Sequence, residues 1–117
     1  MMSSMGERLS QRLVPDHLWE MVASLLPEFR PRRQGGGRGP LDNRSVFTAV
    51  VYVLSSESAW RRLPSSFAVS PATAHRRFVA WCEAGLWERM RQAVLEGEGA
   101  DDEKRWAVSI AEAAMSR

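Results

Sequence analysis

Between Val46 and Leu54 the chain is apolar almost all the way round. A segment with no polar face must be surrounded, so this stretch dictates a structure built about one central element. Its valines would also suit a strand. Asp42 or Asn43 supplies a helix cap just ahead of it, and length and cap together favour a buried helix. The stretch reaches only about half of the ~20 residues that span a bilayer. No apolar leader opens the sequence. The expectation is a bacterial cytoplasmic, nucleoid-associated protein with no membrane partner.

The other segments read as helices packed around that centre. After Pro15, Leu18, Trp19, Val22, Ala23, Leu25 and Leu26 recur at three- and four-residue spacing. Asp16 can cap this helix and Pro27 ends it. His17 falls in its first turn and reads as a surface side chain. Ser70-Pro71 is a strong helix start, with serine at the cap and proline at the first helical position. That helix should run to about Ala84. Gly85 interrupts, and Leu86 to Leu95 forms another helix with Leu86, Met90, Ala93 and Val94 inward. Met1 to Leu13 shows no clear period and is expected to fray. Glu96 to Glu103 reads as an acidic linker. Beyond it, Trp106 to Ile110 suits a strand and Ala111 to Met115 a helix, so the tail stays open. The expected fold is all-α: a small helical bundle with a helix-turn-helix, an acidic linker and a short tail. The expected organisation is a flexible N-terminus over 1–13, a domain over 14–96, and a linker and tail over 97–117.

Several chemistries are disfavoured by composition. The one cysteine, Cys82, permits no intrachain disulfide and no zinc cluster. It reads as a small buried hydrophobe. His17 and His75 are too far apart to form a local ligand pair. No metal or cofactor set is expected.

Charge is unevenly distributed. Residues 1–95 carry thirteen basic and eight acidic side chains, and residues 96–117 carry three basic and six acidic. Of the sixteen basic residues, only Lys104 is not an arginine. A GC-rich genome would produce the same bias, yet arginine also forks onto phosphate and guanine. A basic body suggests an anionic partner. The segment over 28–41 concentrates this property. Its Gly35-Gly36-Gly37 run can hold neither helix nor strand, and it carries Arg30, Arg32, Arg33 and Arg38 against Glu28. Such an arm can lie along phosphates or enter a narrow minor groove. It can equally be a solvated linker.

Ala59-Trp60-Arg61-Arg62-Leu63-Pro64 reads as a short helical turn with Trp60 and Leu63 inward and both arginines outside. With 100° per residue and Phe78 taken as the inward direction, Ala74, Trp81 and Cys82 fall on the core side of the helix after Ser70. Thr73, Arg76, Ala80 and Glu83 fall opposite, Arg77 flanks them, and His75 lies near the boundary. A buried helix, a turn and a capped helix presenting arginines describe a helix-turn-helix, whose second helix enters the major groove by its N-terminal residues. The candidate DNA contacts are therefore Ser70, Thr73, His75, Arg76 and Arg77, the turn residues Arg61 and Arg62, the loop arginines Arg30, Arg32, Arg33 and Arg38, and Arg44. Arg76 is expected at base edges and Arg77 at phosphate.

These residues carry a resemblance. Leu18-Trp19, Leu25-Leu26-Pro27, the glycine and arginine loop, Asp42-Asn43-Arg44-Ser45-Val46 and Val51-Tyr52-Val53-Leu54 open it. Trp60-Arg61-Arg62-Leu63-Pro64, Phe67, Ser70-Pro71-Ala72-Thr73-Ala74-His75-Arg76-Arg77-Phe78, Trp81 and Gly85-Leu86-Trp87-Glu88-Arg89 continue it. In this order they resemble the N-terminal domain of bacterial insertion-sequence transposases of the DDE type, in the insertion-sequence-four and -five group. The resemblance implies a helix-turn-helix that recognises the element's terminal inverted repeats. It also implies a following RNase H-like domain, in which three acidic residues hold magnesium and cut DNA. The family's continuation opens with a strand carrying the first of these acids. Here Val108-Ser109-Ile110-Ala111-Glu112-Ala113 stands in that place, with alanine where aspartate is expected. The sequence thus points to a non-enzymatic chain that binds double-stranded DNA: a truncated or domesticated transposase, or the first-frame product of a two-frame element. Its partners would be the inverted repeats, and a second copy or a frameshifted full-length transposase. The competing reading is a protein-interaction or regulatory module that inhibits transposition or transcription through a partner.

Overall fold

The computed structural model describes residues 5–27 and 42–117. These form six α-helices: α1 (Met5–Leu13), α2 (Asp16–Leu25), α3 (Asn43–Ser56), α4 (Pro71–Glu83), α5 (Leu86–Glu96) and α6 (Asp101–Ser116). Two 3-10 turns, Trp60–Arg62 and Ser65–Phe67, join α3 to α4. There is no strand among the described residues, and the all-α reading holds.

Helix α3 is the centre the sequence demands. Asp42 caps it, its carboxylate accepting from the Ser45 amide at 3.3 Å. Every residue from Val46 to Val51 is buried, as are Val53 and Leu54. The polar member of that run, Thr48, satisfies its hydroxyl by donating to the Arg44 carbonyl at 2.7 Å. Phe47 is the hub of the aromatic core. Its ring centroid lies 5.9 Å from Trp19 of α2, 5.8 Å from Trp81 of α4 and 5.9 Å from Trp87 of α5. One side chain thus holds three helices against α3.

The ends of the chain depart from the sequence expectations. Residues 5–13 are helical, with Leu13 and Val14 buried in the common core. Helix α2 is preceded by extended Pro15 rather than capped by Asp16, which is its first helical residue. The Asp16 carboxylate pairs with Arg44 at 2.6 Å instead. The acidic linker shrinks to residues 97–100, because the helix begins at Asp101. Trp106 to Ile110 is helical, not extended, and so is the stretch Val108 to Ala113, which does not form the strand that the resemblance implies. Asp101, Asp102 and Glu103 in the first turn complement the helix dipole. Ala107, Ile110, Ala111 and Ala114 then bury their face in the same core as α3. The Trp106 indole donates to the Leu13 carbonyl at 2.8 Å, tying α6 to the end of α1. Gly85, at φ +73°, provides the left-handed residue that turns α4 into α5.

Candidate nucleic-acid interface

Helix α4 begins where the sequence places it. Ser70 is extended, and its Oγ accepts from the Thr73 amide at 3.1 Å, with Pro71 at the first helical position. The Ser70 hydroxyl lies 2.9 Å from Thr73 Oγ1, and Arg76 Nη2 donates to that same Oγ1 at 3.3 Å. The cap thus steers the exposed Arg76 guanidinium toward the start of the helix. One of its five N–H donors is spent on that contact.

The face that α4 buries is rotated from the one expected. Ala74, Arg77, Phe78 and Trp81 are its buried residues. On a helical wheel their centre lies about 50° from Phe78 toward Arg77. Taking Phe78 itself as the inward direction missed this, because a buried arginine carries no apolar signal. Three consequences follow. Arg77 is not a surface residue flanking the contact face: it is 7% exposed. Its guanidinium donates to Asn43 Oδ1 in the first turn of α3, and lies 5.5 Å from the Trp81 ring centroid. Burial pushes it below the ordinary arginine pKa, though it remains charged at neutral pH. Cys82, expected in the core, is exposed. Partial burial pushes its thiol pKa upward, outweighing a contact with Trp87 that lowers it, and the charge of Glu83 adds to the rise, so this sulfur is not an activated nucleophile. The outward face gains Ala72 and Val79 beside Arg76 and Ala80, with Glu83 on the same face in the last turn, the exposed His75 at one flank and the half-buried Thr73 at the other.

The turn before α4 supports this face. Arg61 and Arg62 are exposed. Trp60 packs 5.4 Å from the His75 ring and 5.1 Å from Phe78, which locks the turn onto α4. Arg44 does different work. It donates to the Val14 carbonyl at 3.0 Å and to Asp16 at 2.6 Å, binding the start of α2 to α3. Arg30, Arg32, Arg33 and Arg38 lie outside the described residues. The structure therefore leaves Arg61, Arg62, His75 and Arg76 exposed, with Trp60 joining their turn to His75, while Arg44 and Arg77 are engaged within the fold. Among the described residues, no three histidine, cysteine, aspartate or glutamate side chains are placed to hold a metal ion. No described helix is long and apolar enough to cross a membrane.

The chain belongs to the family described as "Putative transposase of IS4/5 family (DUF4096)", which it matches over residues 14–91. It is 35% identical over 89 residues to the "Insertion element IS402 uncharacterized 16.2 kDa protein" of Burkholderia cepacia. The aligned part is 74% of this chain and 60% of that relative. No solved structure matches the chain. The family match ends within α5, so all of α6 lies beyond it.

Proposed function

We propose that this chain is the DNA-recognition part of an insertion-element transposase system, and that α3, the Trp60–Arg62 turn and α4 act as a helix-turn-helix on the element's terminal inverted repeats. The observation that carries the reading is the start of α4. Arg76 stands outward in the second turn, held by the cap, with Ala72, Thr73 and His75 around it and no acidic residue in the first turn. These are the positions that meet base edges when such a helix enters the major groove. Arginine forks onto guanine, and an alanine or threonine methyl contacts thymine. Arg61 and Arg62 take phosphates beside the groove, joined by the arginines of 28–41. Arg77 acts differently: it fixes the angle of α4 through Asn43 and does not touch DNA. The reading places DNA recognition in these helices and assigns no strand cleavage to them.

The direct test is binding of the purified chain to duplex DNA over a range of salt concentrations. About five phosphate contacts predict a log–log slope of roughly −4 to −5. A salt-independent affinity, or no binding at all, contradicts the reading.

A further inference from the structure

We infer that α6 brings a further phosphate-binding residue, Arg117, to the DNA-facing side of the α3–α4 connection. This rests on the reading of α4 as the recognition helix and extends it to a part of the chain that the family match does not reach.

The direction of α6 is fixed at two levels. The Trp106 indole bonds the Leu13 carbonyl, and Ile110, Ala111 and Ala114 are buried against the core. So anchored, the helix delivers Arg117 to the turn before α4. Arg117 Nη2 donates to the Ser58 carbonyl at 2.6 Å, and its guanidinium carbon lies 5.3 Å from the Trp60 ring centroid. Trp60 is the same ring that packs on His75 and Phe78 of α4, and it directly precedes Arg61 and Arg62. One indole therefore collects Arg117 and His75 beside two exposed arginines. A guanidinium stacked on an aromatic face loses little further freedom on binding. With one donor on Ser58, it keeps others for phosphate oxygens.

Charge along α6 favours the same conclusion. Of its four acids, Asp101, Asp102 and Glu103 occupy the first turn, and Glu112 faces Arg91 of α5 at 3.9 Å. At 1.5 Å per residue, Asp102 lies about 22 Å from Arg117, some two screening lengths at 0.1 M salt. Three of the four acids of this helix thus sit at the end far from the turn, and the fourth is paired with Arg91.

The test is a salt titration of the 117-residue chain and its Arg117→Ala, Arg117→Lys and Arg76→Ala variants. Each is first matched to the unsubstituted chain by circular dichroism. Two duplexes serve as probes, one with the element's terminal repeat and one unrelated. Losing one phosphate contact should reduce the slope by about one and weaken both duplexes about eightfold at 0.1 M salt. Arg117→Lys should retain most of the slope. If Arg117→Ala lowers affinity with the slope unchanged, Arg117 only props the turn through Ser58 and the inference is overturned. It is equally overturned if Arg117→Ala changes nothing while Arg76→Ala abolishes the preference for the repeat; the recognition-helix reading then survives. If Arg76→Ala also changes nothing, that reading falls and takes the inference with it.

Discussion

The α3–α4 unit and the α5–α6 pair share one core but are built from different materials. Between α3 and α4 the contact is aromatic, with Phe47, Phe78 and Trp81 meeting the Trp87 ring from α5. Where α6 joins the core the buried face is Ala107, Ile110, Ala111 and Ala114, small residues that let backbones approach. Large rings fill the space around α3 and leave the outward face of α4 to Ala72, Arg76, Val79, Ala80 and Glu83. The alanine face instead lets α6 lie close, so that Trp106 in its second turn reaches the Leu13 carbonyl and Arg117 at its end the Ser58 carbonyl. The aromatic unit presents a surface, and the alanine-faced helix braces it.

The sharpest way to break this comparison is at the hub. Phe47→Ala opens a cavity touched by α2, α4 and α5, and should cost about 3–5 kcal/mol. Thermal melting should then show both regions lost in one transition. Separate transitions would mean that they are independent units.

Arg77→Ala removes the bond between α4 and the first turn of α3. A hydrogen bond to a charged group of this kind contributes about 1.5–3 kcal/mol. Chemical denaturation should show that loss. DNA binding by the folded variant should weaken with an unchanged salt slope, because Arg77 positions and does not contact. A slope reduced by one would return it to the DNA surface.

Ala111→Leu tests the other material. A larger side chain in the close contact around α6 should cost about 1–2 kcal/mol by overpacking. The preference of α4 for a given DNA sequence should persist. Equal damage to that preference would erase the distinction between surface and brace.

Cys82 gives the smallest effect on the fold. The residue is exposed, so a maleimide should modify the native protein. Its pKa is raised, so the thiolate forms later than usual as pH increases. The rate should therefore still be climbing above pH ~8.5, the ordinary thiol value. A rate already level at pH 8 would show a depressed pKa and a sulfur in a cationic setting.

How much of this was legible in the sequence depends on the signal each element carries. Helix α3 announces itself by continuous hydrophobicity behind a cap, and α4 by Ser70-Pro71; both lie where the sequence places them. Helix α6 is poorly legible because alanine is a weak hydrophobic mark and its Trp106–Ile110 segment also suits a strand. The core contacts of α6 supply what local propensity leaves undecided. At the candidate interface, the start of α4, Arg61 and Arg62 were readable from cap and turn chemistry. The rotation of α4 was not. It depends on Arg77 being buried against Asn43 and Trp81, a long-range pairing that no local period encodes. The engagement of Arg44 with Asp16 is of the same kind. A hidden arginine and a contacting arginine look identical in sequence.

The central claim is that the outward face of α4 reads DNA, and Arg76 tests it most directly. Affinities of the unsubstituted chain and Arg76→Ala would be measured at one salt concentration, on duplexes carrying the terminal repeat and each single base-pair change within it. The account predicts a loss of about 1–3 kcal/mol on the repeat and relaxed discrimination at one base pair, with the other positions read as before. An Arg76→Ala protein that is folded and keeps both its affinity and its discrimination at every position would contradict it.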